Sequence, residues 1–187
     1  MATTSPNMVD QVQTTEERTI SRSREEAIKE AKRIEESLLY SSKGHFAAAQ
    51  FWSRFHLWIG IPMVVFAALA GAAALRHFDS DGTWAGSFSL VVVVLSAVMT
   101  FLNPNEKASA HLNAGNSYDA LMNKVRLFWS IECWRQDTDD VVGERVANLS
   151  DQKDKLNQNC PQIQFWAYRK AKRGIEAGEG NYRIDKT

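Results

Sequence analysis

At 187 residues the chain fits one domain with little left over for a second. Its 22 Lys plus Arg balance 22 Asp plus Glu, which excludes a global field drawing it to nucleic acid or to acidic substrates. Its two cysteines, Cys133 and Cys160, lie far apart and outside ligand-type spacing, so they make neither a disulfide framework nor a zinc site and read as buried free thiols of a reducing compartment.

Residues 1–15 are polar and without period, which predicts a disordered tail. A helical pattern then begins at Glu16, with Ile20, Ala27, Ile28, Ala31, Ile34 and Leu38 at three- and four-residue steps. Charged residues fill the other face, including a Glu25–Lys29 pair of favourable orientation. The segment 16–56 thus reads as a cytosolic, juxtamembrane helix. Phe51, Trp52, Phe55 and Trp58 fall where the chain should meet lipid headgroups, with Phe78 and Trp84 at the opposite surface. Ordinary aromatic packing between helices is the competing account. A long polar stretch precedes the first apolar run and no secretory leader pattern is present, so the first span itself should drive insertion.

Two stretches organise everything else. Segments 57–75 and 84–102 each run about 19 residues without Asp, Glu, Lys, Arg or His, roughly what a helix needs to cross a hydrocarbon core of about 30 Å. A core helix of a small soluble domain rarely stays apolar on all faces for that length. The chain therefore reads as an all-α membrane protein: a two-helix transmembrane hairpin over 57–102, with long cytosolic helical extensions forming a bundle. Pro62 should bend the first span locally. Ala67 and Gly71 form a small-xxx-small pair suited to close helix packing. On the second span Ser89, Ser96 and Thr100 share one stripe. These hydroxyls either bond back to their own helix or face a neighbouring subunit or a water-filled pore.

Basic residues before the first span, with Lys107 after the second, outnumber the single Arg76 between them, so both termini should be cytoplasmic. Neither span holds an ionisable residue, unlike most ion-coupled transporters, and two helices cannot enclose a path. A channel would need several copies in closed symmetry.

Asn103-Pro104 should end the second span and start a cytosolic helical region over 103–180. Ala108, Leu112, Leu121, Val125 and Phe128 are in register on its first helix. A polar break at 136–140 precedes a second helix carrying Val142, Val146, Leu149 and Leu156, stopped at Cys160-Pro161. The last helix holds Ile163, Trp166, Ala167, Ala171 and Ile175, ahead of a tail over 181–187. Its basic face (Arg169, Lys170, Lys172, Arg173) is either solvated or laid along an anionic leaflet. His45 and His56 share a face three turns apart, too far to bind one metal, and His111 could approach either. A metal site or pH gate is one reading of them; interfacial hydrogen bonding is the ordinary one. No phosphate loop, nucleophile elbow or HExxH motif is present, and no constellation supports catalysis or a cofactor.

The order of several elements resembles a known family. It begins with Ser41-Ser42-x-x-His45-Phe46-x-Ala48-Ala49-x-x-Trp52-x-x-x-His56 and a small-residue-rich span. Phe101-Leu102-x-Pro104 follows the second span, then His111-x-x-x-Gly115-x-x-Tyr118-x-x-Leu121. Pro161, Ala167-Tyr168-x-x-Ala171-x-x-x-Ile175-x-x-Gly178 and Tyr182-x-x-Asp185 complete it. This pattern resembles the SLATT family, the SMODS- and SLOG-associating two-transmembrane effector domain. The resemblance implies a non-enzymatic, oligomeric, pore-forming effector of prokaryotic anti-phage or conflict systems, sited in the cell (inner) membrane. It also implies control by a nucleotide-linked signal, through a sensor protein or a nucleotide second messenger; no recognisable sensor domain stands in this sequence. His45, His56, His111 and Tyr118 become candidate cytosolic regulatory residues, beside Ser89, Ser96 and Thr100 as pore-lining or interface residues. The alternative is a non-conducting membrane anchor or scaffold for a cytosolic partner.

Overall fold

The computed structural model describes residues 8–75, 81–135 and 138–180, with side chains from Arg22 onward. Among the described residues every regular element is helical: α1 (Met8–Leu75), α2 (Thr83–Leu102), α3 (Pro104–Ser130), a 3-10 turn (Glu132–Trp134), α4 (Asp139–Asn159) and α5 (Phe165–Glu176). Expectations for residues 1–7, Arg76, Phe78 and the tail over 181–187 lie outside them.

Helix α1 is one continuous helix of 68 residues, about 100 Å of helix at the usual rise. It begins at Met8 rather than Glu16, and the expected juxtamembrane helix and first span are a single element running through Pro62. Helix α2 returns alongside it. Pro62, Met63, Phe66, Ala70 and Ala73 of α1 turn towards Ala85, Phe88, Val92, Leu95 and Val98 of α2, with the Phe66 and Phe88 rings 5.9 Å apart. The remaining faces are bare. Within the most apolar 18-residue windows, only 6 % and 0 % of the residues are buried inside the chain, and Val64, Leu69, Leu90 and Val93 are among the exposed side chains. A soluble core helix of that composition would be mostly covered; these two are not, as suits a surface that meets lipid or neighbouring spans. The chain is a two-span membrane protein.

A single residue joins the second span to the helix after it. Asn103 is left-handed (φ 42°, ψ 58°), and its N–H donates to the Met99 carbonyl at 3.0 Å, closing α2. Asn tolerates that conformation better than most residues, and Pro104 at the first position of α3 needs no donor. The Asn103 side-chain amide bonds the Glu106 carboxylate.

Beyond the hairpin, α1 packs most extensively on α3, with α4 and α5 against it. Ala31, Ile34 and Leu38 of α1 meet Leu121, Met122, Val125 and Phe128 of α3 and Val142, Val146 and Leu149 of α4. Apart from Met122, these are residues the periodicity predicts. The predicted register fails at the start of α3: Leu112 is 48 % exposed, and His111 takes the inner face. A polar residue can occupy a core position when a buried partner meets it. At the far end Arg24 bonds Asp139 at 3.0 Å, tying α1 to the first turn of α4. Glu35 accepts from the Trp129 indole (2.5 Å) and from Arg126 (3.1 Å), fastening α1 to α3. Lys29 pairs with Glu26 at 2.8 Å, in place of Glu25.

Helix α5 starts at Phe165, after Ile163 rather than around it. It crosses α1 on small residues: Ala167 against Ala47 and Ala48, with Ile163 alongside. A Cβ at Gly44 would stand 3.1 Å from Ile163, so that crossing uses the missing side chain.

Candidate functional site: a buried histidine pair at the foot of the hairpin

Helices α1 and α3 are the direct continuations of the two spans, and they meet at two histidines. His45 lies about three turns before 57, and His111 about two turns after Asn103. Both are buried, at 1 % and 4 % exposure, and their Nδ1 atoms are 2.9 Å apart. That distance is a hydrogen bond, which for neutral rings requires opposite tautomers: one Nδ1 carries the proton and the other accepts it. The Tyr118 ring stacks on His45 (centroids 5.2 Å, 17° between planes). Its hydroxyl donates to the Asn157 carbonyl oxygen of α4 at 2.9 Å and lies against the Cys160 thiol. Three helices therefore converge on one polar node inside an apolar seam.

Burial sets the protonation states. It depresses the His45 pKa to about 4, with His111 adding a smaller push in the same direction, and it lowers His111 as well. Burial, followed by the neighbouring Cys160, raises Tyr118 to about 12, and burial raises the Cys160 thiol. Every member is neutral at physiological pH, so the node is a set of dipoles rather than an ion pair.

Gly115 lets α1 and α3 come this close. A Cβ there would sit 2.8 Å from the Phe46 ring, next to His45 in sequence. Of the predicted regulatory residues, the structure joins His45, His111 and Tyr118. His56 stands apart, immediately before the first span, with its Nδ1 enclosed and without a hydrogen-bond partner; the Trp52 indole N–H is enclosed likewise, under the Lys107 ammonium 4.6 Å from its ring. Among the described residues no three His, Cys, Asp or Glu side chains are grouped to hold a metal. Asn157 and Cys160 escaped the sequence reading because they approach Tyr118 only through the folding-back of α4. The Tyr118–Asn157 bond is worth about 1 kcal/mol by the usual net value. Tyr118→Phe should lower the thermal midpoint by a few degrees while leaving the helical signal intact.

The hairpin candidates lie elsewhere. Ser89, Ser96 and Thr100 are exposed on α2, away from α1, and Thr100 Oγ1 donates to the Ser96 carbonyl at 2.9 Å. Ala67 and Gly71 are exposed too, and nothing lies within 4 Å of a Cβ at Gly71. Neither set serves the packing of one chain.

The profile of the SMODS and SLOG-associating 2TM effector domain family 4 matches residues 25–185, most of the chain. The chain belongs to the SLATT family. SLATT is a two-transmembrane effector domain associated with SMODS and SLOG systems, and the match spans the bundle, both helices of the hairpin and the histidine node. No curated protein and no solved structure matches this SLATT chain.

Proposed function

We propose that this SLATT protein is an oligomeric effector that permeabilises the cell (inner) membrane in a prokaryotic anti-phage or conflict response. Both termini are cytoplasmic, and a nucleotide-linked signal, received directly or through a sensor partner, controls opening. One observation carries this reading: the span surface that a single chain leaves bare holds both a hydroxyl stripe (Ser89, Ser96, Thr100) and a small-residue patch (Ala67, Gly71). Small residues let neighbouring helices approach closely in lipid, and hydroxyls tolerate a water-lined surface. Copies packed through the first would turn the second towards a common axis. The histidine node supports the regulatory half, because a change in how α3 seats on α1 passes to α2 through the single residue Asn103. A ligand moves such an equilibrium only by its preference for one packing, and a preference of a few kcal/mol suffices.

The test is dye or ion leakage from liposomes. Ser96→Leu and Gly71→Leu should each abolish leakage, the first by blocking the lining and the second by spoiling the contact. Leakage at the native rate from both variants would leave the anchor or scaffold reading in its place.

A further inference from the structure

We infer a binding site for the headgroup of an anionic phospholipid between α1 and α5, at the boundary of the first span. It rests on the membrane hairpin and is independent of pore formation. A pocket of about 290 Å³ opens there, walled by Phe51, Phe55, Trp58 and Trp166, with Arg54 and Lys170 at its rim. The Phe51 and Trp166 rings pack at 4.8 Å and hold α5 to α1. Among the described residues no carboxylate lines the pocket, so its two charges favour an anion.

Its position identifies the anion as part of a lipid. Tyr168 of α5 lies against Tyr40, towards the bundle, whereas Trp166 and Lys170 sit beside residues 50–58. One edge of α5 therefore faces the bilayer, at the level where Trp and basic side chains meet headgroups. The face of α1 that carries Arg54 then continues as Trp58, Ile61 and Val65, at steps of four, three and four residues. These are 79 %, 62 % and 51 % exposed. A basic pocket opening onto an uncovered apolar stripe on the same helix face matches a molecule with an anionic head and a hydrocarbon tail. A free phosphate would use only the pocket.

The experiment reconstitutes the full chain in vesicles of equimolar phosphatidylcholine and phosphatidylglycerol, and counts retained lipids by native mass spectrometry after gentle extraction. The native protein should retain phosphatidylglycerol in preference. Each basic residue near such a surface is worth roughly fivefold in binding. The double variant R54Q/K170Q should therefore return retention to the composition of the vesicle, whereas R54K/K170R should keep the preference. Arg33→Gln, a charge removed from the exposed far part of α1, should also keep it. The assignment is overturned if R54Q/K170Q retains phosphatidylglycerol as the native chain does. It is equally overturned if Arg33→Gln loses the preference to the same extent, or if soluble glycerol phosphate displaces the lipid as readily as added phosphatidylglycerol does.

Discussion

Gly115→Leu should part the α1–α3 seam at the foot of the hairpin and cost about 2–3 kcal/mol, in the range of core overpacking. The reason is local. A Cβ at this position already falls within 2.8–3.2 Å of three Phe46 ring atoms, and a leucine adds three more carbons where the helices touch. Gly115→Ala is the instructive contrast. Alanine improves helix propensity by about 1 kcal/mol, and the Phe46 ring can swing outward, because it borders an open groove between α1 and α3. The alanine variant should sit within about 1 kcal/mol of the native protein. Urea titration of the detergent-solubilised protein would measure both, and Phe46→Ala should restore part of the loss in Gly115→Leu. Native stability in the leucine variant would mean that α1 and α3 do not approach this closely.

Acidification should loosen the same seam. His45 titrates near 4 in the folded chain, because burial and then His111 disfavour its charge, but near 6.5 when unfolded. Between those values the unfolded state binds more protons, so stability rises with pH. The contribution is fully present above about 6.5 and is lost as the pH falls towards 4. Going from about pH 7 to about pH 5 should remove on the order of 2 kcal/mol through His45, and more once His111, shifted in the same direction, is included. The groups facing the pair, Tyr118 and beyond it Cys160, are raised by burial and stay protonated throughout this interval. The unfolding midpoint against pH, compared between the native chain and H45Q/H111Q, isolates this part from the carboxylates. Parallel curves would show that the histidines are already charged in the folded state.

Features that announce themselves by period or composition are legible in the residues alone. The uncharged stretches 57–75 and 84–102, the stripe of Ala31, Ile34 and Leu38, and the stop at Asn103-Pro104 all appear as expected. Each follows from a rule acting over neighbouring residues: a span needs unbroken apolarity, a buried stripe repeats each turn, and proline breaks the ladder. The family resemblance is legible too, and the family profile matches residues 25–185.

Partnership across distant segments is not legible in this way. Period places Leu112 inside, yet the interior takes His111, because only the fold sets His45 within 2.9 Å of it. Gly115 is no more than a motif letter until Phe46 lies across it, and Asn157 and Cys160 have no link to Tyr118 until α4 folds back. Arg54 and Lys170 become one site only when Trp166 docks on Phe51. The run of residue types along the chain dictates a membrane hairpin on a helical bundle, because lipid reads apolarity segment by segment. Which histidines pair, and which basic residues share a pocket, falls to the packing of the helices. A buried hydrogen bond or a rim of two charges depends on separations of a few ångströms between residues far apart in sequence, and no local pattern encodes them.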